Sequence, residues 1–179
     1  MGGGSMVEAL VTIAVGCAFL AAGVIDVRER RIPNGIVAVV AVLGLVRLGT
    51  VAAFGGGMTA VLIDGAVALA GFAIMVPAFR FGVMGGGDVK LITAGILWFG
   101  ASGAASFIVV TVLAGGVLSL AMLVSGRLGG RPASDSGSGS GSGSGSTARS
   151  RGVPYGVAIA AGAFVTMAVG IAVNSPALP

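Results

Sequence analysis

Asp26 and Asp88 are the residues best suited to chemistry in this sequence. The 179-residue chain has six acidic residues and no histidine. The missing histidine removes Ser-His and Cys-His nucleophilic catalysis, the HExxH zinc-hydrolase motif and any histidine proton relay. A single cysteine, Cys17, excludes a disulfide framework or a cysteine-rich metal site within one chain, and reads as a small buried apolar side chain. Hydrolysis would therefore rest on carboxylates, and neither a metal nor a cofactor is implied. Asp88 follows Gly85, Gly86 and Gly87 at the mouth of an apolar segment. A charge there is costly and asks for a functional reason. Two carboxylates within a few Å repel each other, so near neutrality one is protonated while the other is ionised. The ionised group can take a proton from water and the other can donate to a scissile carbonyl oxygen. Such a pair titrates as a unit.

The elements that must position these groups are membrane spans. The chain is 56% hydrophobic and 9% charged, with a mean hydropathy of +1.08, far from a soluble composition of about a quarter charged. A pI near 10.7 would suggest nucleic acid in a soluble protein, but the basic residues sit in short loops between apolar runs, which is how topology is set, so no nucleic-acid partner is expected. Residues 1–5 read as a remnant of cloning ahead of a start at Met6. Residues 6–125 hold five spans with the loops that carry the aspartates: about 6–25, 35–54, 58–79, a short apolar segment at 89–99, and 104–125 after a turn at 100–103. The Gly/Ser repeat within 126–152 reads as a flexible cytoplasmic loop, and 153–179 as the sixth span with a short tail. Pro33 is placed to start the second span. The expected fold is all-α and integral to the membrane, with six transmembrane helices.

Basic residues fix the orientation. Arg28, Arg30, Arg31, Arg80, Lys90, Arg127, Arg131, Arg149 and Arg151 fall on one side of the six spans, and only Arg47 on the other. The N-terminus and C-terminus are therefore expected outside, with the loops bearing Asp26 and Asp88 in the cytoplasm. Two complete crossings separate the aspartates, so both return to one face. The segment after Asp88 is short for a hydrocarbon core, so either the bilayer thins there or Asp88 lies below the headgroup level.

Plainer roles compete at each position. Asp26 is at helical spacing from Arg30, and Asp88 could cap the helix that it opens. Three glycines let a backbone approach closely and allow conformations barred to other residues, yet the chain holds 34 glycines. Lys90 could stabilise an ionised Asp88 or serve only as a topology charge. Asp64, one or two turns into the third span, is expected to snorkel or hydrogen-bond near the outer interface, where Glu8 also lies, and Trp98 fits an outer-leaflet anchor. Two other classes remain. A small transporter or channel would place ionisable groups at midspan in repeated halves, and neither feature is clear. A non-catalytic pilus or secretion subunit leaves both aspartates unexplained.

Three separated pieces together resemble the type IV prepilin peptidases of the short Tad/Flp-pilus branch. They are Asp26 with Arg31-Ile32-Pro33-Asn34, Gly85-Gly86-Gly87-Asp88 with Val89-Lys90-Leu91, and Pro154-Tyr155-Gly156. The second piece matches the GxGD motif of intramembrane aspartyl proteases. The resemblance implies a GxGD-protease-like helical bundle with Asp26 and Asp88 as the catalytic pair. Gly85, Gly86, Gly87, Lys90, Arg31, Pro33, Asn34, Pro154, Tyr155 and Gly156 would serve substrate approach. It also implies a prepilin partner, whose basic leader is cut on the cytoplasmic side of the lipid bilayer of the bacterial inner membrane. Bifunctional members carry an N-terminal cytoplasmic region with paired cysteines and methylate the new N-terminus. The single cysteine here predicts cleavage without methylation.

Overall fold

The computed structural model describes residues 3–54, 57–82, 84–128 and 155–174. Its described residues form five helices and no strand: α1 Gly3–Glu29, α2 Asn34–Phe54, α3 Gly57–Arg80, α4 Gly86–Leu128 and α5 Tyr155–Asn174. Gly3 to Ser5 continue α1. The Gly/Ser repeat, Pro154 and the residues after 174 lie outside the described segments.

Each helix is apolar around most of its circumference, which suits a bilayer better than a face-to-core arrangement in water. Among the described residues, α1 through α4 contain stretches long and apolar enough to cross a membrane, while α5 adds a shorter apolar stretch, Tyr155–Gly170. Leu10, Leu62, Leu69, Ile74, Val117 and Leu120 are all more than half exposed. Contiguous apolar surface of this kind marks a membrane or an interface. Cys17 is exposed on this outer surface, contrary to the buried position expected for a lone apolar cysteine. In lipid, an outward thiol carries none of the penalty it would meet in water.

α4 breaks at Gly100, whose φ of 64° and ψ of −176° lie outside the helical region. The break is sharp. A straight helix would separate residues 95 and 107 by ~18 Å, yet a Cβ on Gly95 would lie 2.7 Å from the Phe107 ring. The two arms therefore pack on each other, with Phe99 and Phe107 rings 5.0 Å apart. Where the sequence suggests a four-residue turn at 100–103, one residue suffices, because glycine accepts the positive φ and Ala101 already belongs to the next helix.

The folded α4 packs against α2, α3 and α5, and α1 sits between α2 and α5. Phe19 of α1 bridges to α4, its ring 6.0 Å from Phe107 and 6.5 Å from Phe99. These rings and Val15, Val40, Leu91, Ile96 and Ile159 are the centre of the core. Glycines bring backbones together elsewhere: a Cβ on Gly23 would meet that of Ala160 at 3.2 Å, the small-residue contact expected between membrane helices. Trp98 is half-buried against this core.

Candidate active site

Asp26 occupies the last turn of α1 and is 7% exposed. Past it, Arg30 adopts φ 53°, which ends the helix and turns the chain toward α2. For a residue other than glycine that conformation costs ~1 kcal/mol or more, and such strain gathers at working sites. The turn carries Ile32 to α4, where a Cβ on Gly87 would lie 3.1 Å from that of Ile32. Pro33 accepts the first amide contacts of α2, from Ile36 at 3.1 Å, and so stands just before the helix that it introduces.

Asp88 lies in the first turn of α4. Gly85 accepts the first bond of that helix, from Val89 at 3.2 Å, and its own N–H is donated back to the Asp88 carboxylate. This return contact is half of a capping box. Asp26 is held in a parallel way by α5: the N–H of Gly156 donates to Asp26 Oδ2 at 2.7 Å. The first four N–H groups of any helix lack partners within it, and their dipoles favour a nearby negative charge. Capping and chemistry are thus not alternatives here. Each aspartate caps a helix N-terminus, and each still faces one shared space.

That space is a cavity of about 320 Å³ lined by Asp26, Arg30, Arg31, Ile32, Asn34, Gly85, Gly86, Gly87 and Asp88. At ~30 Å³ per water it has room for roughly ten waters, enough for a nucleophile beside an extended backbone. Asp88 is half-buried and feels the charge of Asp26. The other expected residues divide. Lys90 is exposed and donates to Asn34 Oδ1 at 3.4 Å, a long contact that points it to the rim of α2. Tyr155 lines a separate apolar cavity of about 80 Å³ with Met75, Met84 and Ile108. Pro154 falls outside the described residues. Among those that are described, no three acidic, histidine or cysteine side chains could together hold a metal.

The glycines act through space and not through unusual backbone. Positive φ occurs at Gly57, Gly82 and Gly100, and none of Gly85, Gly86 or Gly87 shares it. A Cβ on Gly85 would sit 2.9 Å from Asp88 Oδ2, and one on Gly86 would sit 3.1 Å from the Phe79 ring. Bare backbone is needed there because carboxylate and helix close over it.

Comparison with known families bears on this geometry. The model of the type IV leader peptidase family matches residues 13–120, more than half of the chain, and that stretch contains both cavity aspartates. The chain belongs to the type IV leader peptidase family. It is thus a peptidase by family, built on apolar helices suited to a multi-pass membrane protein. Neither the curated proteins nor the solved structures supply a further match. The family match stops short of α5; the sequence singles out Gly156 for substrate approach, and the fold adds that its N–H holds Asp26.

Proposed function

We propose that the chain is an intramembrane aspartyl endopeptidase that removes the basic leader from Tad/Flp-like type IV prepilins at the cytoplasmic face of the bacterial inner membrane. The observation that carries this reading is that Asp26 and Asp88, from different helices, line one cavity large enough for water beside a substrate, in a member of a leader peptidase family. The ionised carboxylate takes a proton from water as the water oxygen bonds to the scissile carbonyl carbon. The second carboxyl gives its proton to the carbonyl oxygen. Collapse of the tetrahedral intermediate breaks the C–N bond, and the proton held by the first carboxyl passes to the leaving amine. Which aspartate begins protonated is a property of the pair.

Gly85, Gly86 and Gly87 line the cavity with backbone, and the side on which their Cβ atoms would stand is closed by Asp88, Phe79 and Ile32, so the glycines serve by letting these groups close in around the dyad. Counting the two arms of α4 separately gives six crossings, with the ends of α1 and α3 and the starts of α2, α4 and α5 on the dyad side. Arg28, Arg30, Arg31, Arg80, Lys90 and Arg127 belong to chain ends on that side and Arg47 lies toward the other, which supports a cytoplasmic site with both termini outside. Beyond Gly115, which lies against Tyr155, α4 continues with exposed Val117, Leu120 and Leu123. Apolar surface past the dyad favours a site recessed below the headgroups, as the short first arm also does. Methylation of the product is not part of this reading.

The test uses proteoliposomes and a peptide with a basic leader, a glycine and an apolar helix. Asp26→Asn and Asp88→Asn should each lower cleavage by about 10³-fold or more, as expected of residues that act as a unit. Normal cleavage by either variant overturns the assignment.

A further inference from the structure

At the far end of the bundle from the aspartates, three helices meet in one polar contact. Arg47 of α2 donates through Nη1 to Asp64 Oδ2 of α3 at 2.9 Å, and the other oxygen, Oδ1, accepts the N–H of Ala101 in α4 at 2.8 Å. Asp64 is 8% exposed. The contact is fitted to the break in α4: a Cβ on Gly100 would lie 2.7 Å from Arg47 Nη2 and 2.7 Å from Asp64 Oδ2. Seven residues of α2 follow Arg47 and seven of α3 precede Asp64, so the pair lies ~10 Å inside the ends of both helices. A charge at such depth in an apolar bundle is expensive and is normally retained for a function. Of the two roles expected from sequence, snorkelling and hydrogen bonding, the structure shows the second.

We propose that Asp64 and Arg47 are positioning residues that set the bend of α4 and thereby the place of Asp88. Ala101 opens the second arm, and its N–H is one of those left without a partner inside a helix. Asp64 supplies that partner from a neighbouring helix, and Arg47 neutralises and orients Asp64. The first arm then acts as a lever. Twelve residues separate Gly100 from Asp88, or ~18 Å of helix, so a rotation of ~10° at the break moves Asp88 by ~3 Å. A displacement of ~1 Å at a reacting group can already cost about 100-fold in rate. The contact thus controls the approach of Asp88 to Asp26 from the opposite end of the protein. Its geometry stands alone, and only its kinetic consequence rests on the peptidase reading.

Two double variants separate this role from general stability. Arg47→Met with Asp64→Asn removes both charges but keeps an oxygen for Ala101. Arg47→Leu with Asp64→Leu removes both charges and the oxygen. Neither leaves a lone buried charge, the change that most threatens folding. Spin labels at Lys90→Cys and Val117→Cys, in a Cys17→Ser background, report the angle between the arms, since the labelled positions would lie ~40 Å apart along a straight helix. The Met/Asn pair should keep a short, narrow distance distribution and, without labels, a kcat for the leader peptide within about threefold of wild type. The Leu/Leu pair should lengthen or broaden the distribution and lower kcat by about tenfold or more with KM within about twofold, the pattern of a misplaced reacting group. Equal distributions in the two variants overturn the proposal, as does a changed distribution with wild-type kcat. Failure of the peptidase reading has a different signature: Asp26→Asn would still cleave, while the spin-label distances would separate the variants as before.

Discussion

Asp26 Oδ2 and the N–H of Gly156 lie 2.7 Å apart, joining the end of α1 to the start of α5. The approach leaves no room for a methyl group: a Cβ at 156 would stand 2.7 Å from Asp26 Cβ and 2.9 Å from Oδ2. Since the nearest atom is next to the main chain, a rotamer change cannot relieve the clash. Gly156→Ala should therefore lower kcat by about 100-fold while costing only about 1–3 kcal/mol of stability. Cleavage kinetics beside unfolding in mild detergent would check both halves.

Alanine at the three glycines before Asp88 should give three different results. At Gly85 the new methyl meets Asp88 Oδ2, the movable tip of a side chain, so activity should fall with stability nearly kept. At Gly86 and Gly87 it stands 3.1 Å from the Phe79 ring and from the Ile32 Cβ; the exposed ring can swing aside, whereas the Ile32 Cβ is fixed to its main chain, so stability should fall most at Gly87. Because none of the three has positive φ, no backbone strain should add to these costs. Parallel measurements of kcat and melting temperature distinguish the patterns. Equal stability losses at all three positions would contradict it.

Cleavage should follow a bell-shaped pH profile. On the acid limb the pair loses its ionised member, and with it the acceptor for the water proton. On the alkaline limb the protonated member is lost, and with it the donor to the carbonyl oxygen. The profile of kcat/KM for the leader peptide reports both limbs. A rate independent of pH across the range in which carboxyl pairs titrate would argue against the mechanism.

Phe107→Ala should destabilise the bundle, since Phe107 is fully buried between Phe19 and Phe99. An aqueous core would lose ~3–5 kcal/mol. Lipid solvates an exposed ring almost as well as the core does, so the loss here should be mainly that of packing, about 2 kcal/mol. Unfolding titrations in mixed micelles measure it.

Much of this arrangement was legible in the sequence because lipid imposes simple rules. Apolar runs bounded by arginines located the helices near their observed ends, and the number of crossings between Asp26 and Asp88 brought them to one side. Contacts between distant residues were less accessible. Arg47 and Asp64 read as separate interfacial charges, since nothing in their spacing reveals that α2 and α3 meet at the break of α4. Cys17 was misjudged because a rule from aqueous cores, that lone cysteines are buried, does not hold where the outer surface is itself apolar. The glycines before Asp88 were noticed for close approach and for backbone freedom, and the fold uses only the first, since none of the three has positive φ.

The tether of Asp26 to α5 has a consequence for how the enzyme can be divided. One acid and its counterpart are encoded before residue 120, while the amide that holds the first is encoded after residue 154. The site is thus made from two stretches of polypeptide that need only be neighbours in the membrane. A chain ending at residue 128 should retain both aspartates yet cleave poorly, and co-expressing residues 153–179 as a separate peptide should restore activity by complementation. Sequence comparisons confined to the first stretch would find both aspartates and overlook the amide that holds one of them.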